Sequence, residues 1–340
     1  MIDLVAEQSR LGGLERWLQD PEVDEVMVNR GSDIWVDRAG RLELVGHMRT
    51  ATLVAVIEQV LAPSGRRVDR TQPTVDARLP DGSRVCAAIE PVSVDGPCLA
   101  IRRFAPRSLP LGRFAAPEVV ALLETLVEHR CNIVVSGATS SGKTTLLGAM
   151  AARVGREARI VTMEDVAELR LAHPHVVRLE TRDATADGVG EVSLGQLLRT
   201  ALRLRPDRLV VGEIRGAEAV QLLHALNTGH DGSMSTVHAN SARDALARLA
   251  SLVVQASPNW PLAAVYEHVA RAIDVVVHVQ RHADGARRIT EVVEVAEPAI
   301  GSRHVDRSLD VRSLARFDVV EGAPTRTRRA EHAATAVSPQ

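Results

Sequence analysis

The sequence predicts an α/β protein of two domains, in which a mostly parallel sheet follows a small α+β domain with its own antiparallel sheet. Three observations support this prediction. Apolar strand-like runs alternate with helical runs between residues 117 and 239, which is typical of a parallel sheet. Residues 20–104 instead contain short alternating runs around turns, which favours antiparallel hairpins. Residues 105–112, with two prolines and a glycine, separate the two patterns and are the candidate linker.

The composition is that of a globular protein and argues against a surface that binds nucleic acid. The 340 residues are 45% hydrophobic and 25% charged, which is enough apolar material for a core in each of two domains. Aromatic residues make up 2%, so platforms that stack single-stranded bases are not expected. The net charge of −2 weighs against direct nucleic-acid contact. The three cysteines have no zinc-site spacing and are expected to be free thiols in a reducing cytosol.

The first part of the chain predicts the α+β domain, which we place at residues 1–104. Residues 3–19 have loosely helical apolar positions, and a clearer helix is predicted over 52–61. One hairpin is predicted around residues 38–40, and a second turn at 80–82 joins two further alternating runs before a strand at 99–104.

The rest of the chain predicts an α/β domain with C-terminal helices and a hairpin, which we place at residues 113–321. Helices are predicted over 117–129, 193–204 and 217–228, and strands at 133–135, 159–163, 176–179, 208–212 and 233–239. The helix at 193 begins with a capping box made by Ser193 and Gln196. A hairpin is predicted from strands 274–280 and 287–295. Residues 322–340 are rich in Pro, Ala, Arg and Thr, lack periodicity, and are predicted to be a disordered tail.

A phosphate-binding loop lies at the start of the second domain. Its pattern is G-x-x-x-x-G-K-T, placed between an apolar strand and a helix, as its mechanism requires. The glycines let the backbone approach a ligand closely, and the backbone N–H groups form a nest for anionic oxygens. The lysine reaches phosphates, and the hydroxyl that follows can hold Mg²⁺. The loop predicts nucleotide triphosphate binding through Gly137, Ala138, Thr139, Ser140, Ser141, Gly142, Lys143, Thr144 and Thr145.

Two glutamates are the candidate metal and water partners of this loop. Glu213 ends a fully apolar strand, and a parallel sheet would bring it back beside the loop. Glu164 ends another strand, at the edge where open α/β sheets bind ligands. The alternative for Glu213 is a strand end in solvent. The alternative for the pair Glu164 and Asp165 is an N-cap on the next helix, which Asp165 could serve.

Histidines and arginines give weaker signals. His230 and His238 border a glycine-rich turn and a strand, and either could sense a γ-phosphate, although a lone histidine is more often structural. Arginines cluster at residues 66–70, 84, 102–103 and 203–208. An arginine supplied across a domain or subunit boundary could stabilise charge on the transferred phosphoryl group, but sequence position does not choose among them.

Four ordered blocks across roughly residues 20–300 resemble the type II and type IV secretion ATPase superfamily, which includes pilus extension and retraction motors. The blocks are the phosphate loop and the segments 162–169, 202–215 and 227–240, which resemble the family's Asp box, acidic strand and His box. The runs 75–85 and 101–104 are similar to the Tad (tight-adherence) pilus assembly and conjugal-transfer-like subgroup. Ser140 departs from the family, in which glycine is common at this position.

The resemblance implies a RecA-like ATPase domain in a hexameric ring, with ATP and Mg²⁺ bound between the N-terminal and RecA-like domains. It implies that His238 contacts the γ-phosphate and that Arg84 and Arg102 reach the nucleotide from the N-terminal domain. Glu213 would be the catalytic carboxylate and, with Thr144, a metal-site residue. Glu164 would be the metal or water partner, and which glutamate is the base stays open.

The sequence therefore predicts an ATP-hydrolysing motor that powers pilus assembly or protein secretion at the cytoplasmic face of the inner membrane. No apolar run of about 18 residues is present, so we expect membrane association through an inner-membrane platform protein. Two alternatives are a conjugation-type motor acting with DNA and a slow nucleotide-gated assembly scaffold. A small-molecule kinase is a weaker alternative, because no segment is typical of a lid or acceptor pocket.

Overall fold

The computed structural model describes residues 11–38, 40–79, 81–103, 109–182, 184, 189–296, 309, 311–316 and 319–324. The chain separates into two compact units, Met1–Pro106 and Arg107–Gln340, with the boundary inside the segment 105–112. Residues 105–108 of the predicted linker and 325–340 of the predicted tail lie outside the described residues. None of the helices described is long and apolar enough to cross a membrane.

The first unit is a six-stranded antiparallel sheet with one long helix, which agrees with the predicted α+β domain. Its elements are α1 (Glu15–Leu18), β1 (Val23–Asn29), β2 (Asp33–Arg38), β3 (Arg41–His47), α2 (Thr50–Leu61), β4 (Thr74–Arg78), β5 (Arg84–Ala88) and β6 (Cys98–Arg102). The strand order is β3-β2-β1-β6-β5-β4, and each adjacent pair is antiparallel.

Alternation of apolar and polar residues gives this sheet one buried and one open face. Val26, Val85 and Ile101 belong to the same buried cluster as Leu53 and Ile57 on α2. The side chains that alternate with them point to the other face, since successive strand residues face opposite sides. Arg84 and Arg102 belong to that second set, and both are exposed.

The second unit is built on a nine-stranded sheet. Its elements are α3 (Pro117–Glu128), β7 (Ile133–Gly137), α4 (Lys143–Ala151), β8 (Ile160–Glu164), β9 (Val176–Glu180), α5 (Leu194–Ala201), β10 (Arg208–Ile214), α6 (Glu218–Leu226), β11 (Met234–His238), α7 (Ala242–Ala256), α8 (Leu262–Ala272), β12 (Val275–Arg281), β13 (Arg287–Val295), β14 (Val311–Arg316) and β15 (Val319–Val320). The strand order is β15-β14-β13-β12-β7-β11-β10-β8-β9.

The six strands from β12 to β9 in this order run parallel, and β13, β14 and β15 extend the sheet in antiparallel fashion. The mostly parallel sheet was therefore predicted correctly. Each face carries its own apolar cluster: α5 to α8 contribute to one, and α3 and α4 to the other. Because β7, β8 and β10 are covered on both faces, their sequences are continuous apolar runs.

This topology gathers the candidate site at one edge. β7, β11, β10 and β8 are neighbours, so their carboxyl ends lie side by side. His238 at the end of β11 is aligned with Gly137 at the end of β7. The phosphate loop, Glu213 and Glu164 follow or end strands at that same edge, where parallel α/β sheets bind ligands.

Candidate active site

The phosphate loop joins β7 to α4 and leaves no room for side chains at its two glycines. A Cβ on Gly137 would lie 2.3 Å from the carbonyl oxygen of Val279, and one on Gly142 would lie 2.7 Å from Cδ of Arg287. Gly142 also has φ 96° as the residue that caps α4, a conformation that favours glycine. The loop is thus a close-fitting backbone cradle at the positive end of α4.

Ser140 occupies a left-handed position in this cradle, with φ 59°. A residue with a Cβ is held there at a cost of about 1 kcal/mol relative to a relaxed conformation. Glycine would avoid this cost. The cost is small, so the loop still forms with Ser140.

Lys143 is folded back onto the loop. Its Nζ donates hydrogen bonds to the carbonyl oxygens of Gly137 at 3.0 Å and Ala138 at 2.8 Å. The side chain is buried, and this burial lowers the pKa of Lys143, while the nearby carboxylate of Glu213 opposes the shift. Lys143 is also the only lysine in the sequence. Phosphate oxygens would offer the ammonium group charged acceptors in place of two neutral carbonyls.

A bulge in β10 positions Glu213. Val211 pairs with Ser235 and Ile214 pairs with Val237, so β10 advances by three residues where β11 advances by two. The Thr236 hydroxyl donates to the carbonyl oxygen of Gly212 at 2.6 Å and holds the irregular turn of the backbone. Bulges re-aim side chains, and here the side chain that changes direction is Glu213.

Glu213, His238 and Lys143 form a chain of close contacts beside the loop. His238 Nε2 lies 2.7 Å from Glu213 Oε1, and His238 Nδ1 lies 3.4 Å from Lys143 Nζ. Burial lowers the pKa of His238, which favours the neutral ring at pH 7. These three of the predicted site residues are therefore brought together.

Glu164 has a different environment from Glu213. It is 3% exposed, and its carboxylate accepts hydrogen bonds from the backbone N–H groups of Glu168 at 3.0 Å and Leu169 at 3.0 Å. Burial raises its pKa to about 7. A Cβ on Gly212 would lie 2.8 Å from Glu164 Cγ, so Gly212 allows this side chain to pack against β10. Its metal or water role stays a prediction.

Several residues of the site were not predicted. Arg215 contacts both Glu213 and Asp165, which end neighbouring strands. His278 on β12 is 2% exposed, and its Nδ1 lies 2.9 Å from the hydroxyl of Ser136, the residue before the loop. These contacts depend on strand pairing, which single residues in a sequence do not reveal.

The remaining candidates lie elsewhere. His230 precedes β11, at the opposite end of that strand from His238, and its Nδ1 lies 3.1 Å from the carbonyl oxygen of Ala225. Arg84 and Arg102 lie in the first unit, directly opposite each other on β5 and β6. Neither of them has an ion-pair partner among the described residues. Like charges at opposed positions are unfavourable, and on its other side Arg102 is opposed to Glu25 of β1. An anionic ligand would compensate the repulsion between the two arginines.

The residues of the second unit fit a nucleoside triphosphate with Mg²⁺. One buried oxygen atom in the loop, Ser141 Oγ, has no hydrogen-bond partner in the part of the chain that is described. Buried polar groups are normally paired, so this oxygen favours a bound ligand. Glu213 supplies a carboxylate beside the loop, with His238 Nε2 2.7 Å from its Oε1. Thr144, half-buried in the first turn of α4, supplies a hydroxyl. A hydroxyl and a carboxylate are ligands that Mg²⁺ accepts.

Comparison with known proteins identifies the family. The family described as "Type II/IV secretion system protein" matches residues 7–332. The chain belongs to this family. A putative conjugal transfer protein of Mycobacterium tuberculosis is 38% identical over 336 residues, covering 93% of this chain and 95% of that protein. The type IV secretion system protein PtlH of Bordetella pertussis is 35% identical over 312 residues, covering 82% and 91%.

A solved structure agrees with the fold. The Legionella pneumophila ATPase DotB matches with a TM-score of 0.61 at 18% identity, covering 84% of this chain and 81% of that chain. The family match confirms the predicted superfamily, and the likeness to this structure confirms the predicted fold class. Assignment to the Tad subgroup stays a prediction.

Proposed function

We propose that this chain hydrolyses ATP to ADP and phosphate, and that hydrolysis powers pilus assembly or protein secretion. The observation that carries the proposal is the contact chain from Lys143 through His238 to Glu213, at the mouth of a phosphate cradle. It joins a phosphate-binding cation to a carboxylate that can activate water. Membership of a secretion-system family supports the use of the energy for transport.

The residues take complementary parts in the reaction. The backbone from Gly137 to Thr145 and the Lys143 ammonium hold the phosphates. Water attacks the γ-phosphorus, the bond from that phosphorus to the bridging oxygen breaks, and Glu213 takes the proton of the water. The single N–H of neutral His238 turns from Glu213 Oε1 to the γ-phosphate, which leaves Oε1 for the attacking water. Bound Mg²⁺ would neutralise phosphate charge, with Thr144, Glu213 and Glu164 as its candidate partners.

The proposal extends to the assembly. Arg84 and Arg102 contribute to turnover as cations from the N-terminal unit. The working form is a homo-oligomer, a ring of six copies. This ring acts at the cytoplasmic face of the inner membrane on a platform protein of a pilus or secretion system. The specific system that we propose is a Tad-type pilus. Measuring the molar mass in solution with and without ATP tests the ring.

Replacing Lys143 tests the hydrolysis. Lys143→Ala is expected to lower ATP turnover roughly a hundredfold or more while the protein stays folded, because the phosphates lose contact with the positive charge of the ammonium group. Turnover is measured as phosphate release, and folding by circular dichroism. Arg156→Ala, which removes an exposed cation in the same unit, is the matched control. Wild-type turnover in the Lys143 variant would overturn the assignment.

The single lysine offers a second test on the unmodified protein. An amine-reactive reagent can label only Lys143 and the amino terminus, because the sequence holds no other lysine. Bound ATP with Mg²⁺ is expected to protect the Lys143 peptide from labelling, as measured by mass spectrometry, and to leave terminal labelling unchanged. Equal labelling of both with and without ATP would contradict binding at this loop.

A conjugation-type motor acting with DNA is the second candidate. The name of the mycobacterial relative, a putative conjugal transfer protein, favours it. Stimulation of ATP turnover by single- or double-stranded DNA supports this candidate, and unchanged turnover supports the first. Slow turnover that no partner accelerates would instead favour a nucleotide-gated scaffold.

A further inference from the structure

Arg215 contacts the carboxylate groups of two residues at neighbouring strand ends. Arg215 follows β10 directly, and its Nη2 donates to Glu213 Oε2 at 2.5 Å. Its Nη1 lies 3.3 Å from Asp165 Oδ2, which follows β8. The guanidinium group therefore joins the ends of two neighbouring strands. This hydrogen bond with Glu213 raises the pKa of Arg215, so the arginine stays charged throughout the accessible pH range.

The contact makes the two oxygens of Glu213 different. Oε2 accepts from Arg215, whereas Oε1 is buried and has His238 Nε2 as its neighbour at 2.7 Å. The Glu213 side chain is 15% exposed, so it has little freedom to exchange one oxygen for the other.

The backbone around Arg215 is fixed as well. The carboxylate of Glu218 accepts hydrogen bonds from the backbone N–H groups of Arg215 at 2.6 Å and Gly216 at 2.7 Å. The side chain itself is 55% exposed and lines an open polar cleft of about 380 Å³ together with Asp165 and Glu218. Arg215 thus stands between the cleft and Glu213, and solvent reaches it from the cleft side.

We propose that Arg215 is a positioning residue that holds Glu213 through Oε2 and leaves Oε1 to orient the attacking water and take its proton. This inference rests on the proposed function and assigns an arginine that does not touch the nucleotide. Without the guanidinium group, Glu213 is free to turn toward the Lys143 ammonium, which its charge already attracts. The carboxylate would then be lost as a base while the phosphate cradle remains.

The test uses Arg215→Ala and Arg215→Lys in the full chain. We expect kcat to fall roughly 10- to 100-fold in Arg215→Ala, with the affinity for a fluorescent ATP analogue changed less than about threefold. Arg215→Lys should recover only part of kcat, because an ammonium group does not bridge two carboxylates as a planar fork does. Arg248→Gln is the matched control. Arg248 is an exposed cation whose charge lowers the pKa of His238, and it has no ion pair with Glu213 among the described residues.

Chemical rescue separates positioning from folding. Added guanidinium ion at millimolar concentration should enter through the cleft and restore part of kcat in Arg215→Ala, but not in Lys143→Ala. Wild-type kcat in both Arg215 variants would overturn the inference and leave the proposed function intact. A loss of kcat that guanidinium does not restore would also overturn the inference in two cases. In the first, the melting temperature falls as well, and in the second, Arg248→Gln shows the same loss. Absence of ATP turnover in the wild type would overturn the proposed function itself.

Discussion

At the scale of single residues, the two glutamates of the site differ because their surroundings differ. Each oxygen of Glu213 has a side-chain contact, with Arg215 at Oε2 and His238 at Oε1, whereas both oxygens of Glu164 accept from backbone N–H groups. Glu164 is nearly fully buried, and the nearby charge of Arg178 only partly offsets the effect of burial on its pKa. A carboxyl group in that position is costly to ionise, so its environment favours the protonated form near neutral pH.

This cost predicts a pH-dependent difference in stability for Glu164→Gln. The pKa of Glu164 is about 7 in the folded protein against an ordinary value of 4.5. Between these values the folded state binds a proton that the unfolded state does not, so wild-type stability falls as pH rises from about 4.5 to about 7. Glutamine has no charge to bury. The unfolding free energy of the variant relative to wild type should therefore rise by about 3 kcal/mol over that window.

Urea unfolding at a series of pH values measures this difference. Glu118→Gln serves as the control, because Glu118 is exposed on α3 and its removal should give no comparable dependence. A difference between Glu164→Gln and wild type that stays constant from pH 4.5 to 8 would show that the Glu164 carboxyl group is well solvated.

At the scale of elements, one buried amide fixes the start of β7. Asn132 Oδ1 accepts from the backbone N–H groups of Gly232 at 2.9 Å and Ser233 at 3.1 Å, and its Nδ2 donates to the carbonyl oxygen of Ala272 at 2.9 Å. The residue is fully buried. A single side chain thus links the strand that carries the phosphate loop to the entry of β11 and the end of α8.

Asn132→Ala should therefore lower stability without changing the chemistry. Three buried backbone groups lose their partner, which costs about 3 kcal/mol or more. A fall in melting temperature is expected, while kcat measured well below that temperature stays near wild type, because Asn132 lies at the opposite end of β7 from the loop. Asn259→Ala, at an exposed position, is the control. An unchanged melting temperature would mean that water replaces the amide.

The elements also show which features a sequence can predict. Strands β7, β8 and β10 were predictable because burial on both faces demands continuous apolar runs, and the capping box of α5 was predicted and is present. Helices α7 and α8 were included only as unspecified C-terminal helices, and β14 was not assigned. The bulge that turns Glu213 and the bridge made by Arg215 depend on which strands become neighbours. The order of residues in the chain does not determine which strands become neighbours, so the bulge and the bridge could not be predicted from the sequence.

At the scale of the whole molecule, the candidate residues are divided between two compact units. The phosphate loop, Glu213 and His238 lie in Arg107–Gln340, whereas the paired arginines lie in Met1–Pro106. Within the first unit, Arg84 and Arg102 are opposed on adjacent strands, and Glu25 on β1 is opposed to Arg102 on its other side. The pairing of the two arginines itself adds no stability to the domain, so we expect it to serve turnover rather than folding.

Arg84→Ala and Arg102→Ala should separate these two explanations. Each variant is expected to keep a melting temperature near that of the wild type. Removing one arginine relieves a repulsion of about 0.2–1 kcal/mol, and in Arg102→Ala the lost pairing with Glu25 offsets this gain. ATP turnover should fall at least tenfold in each, since a cation that stabilises transferred phosphoryl charge is worth about 10³ or more in kcat. Binding of a fluorescent ATP analogue should change much less. Arg41→Ala, which removes an exposed arginine from β3 of the same sheet, is the control and should behave as wild type. Full turnover in both variants would place the complete catalytic site in the second unit alone.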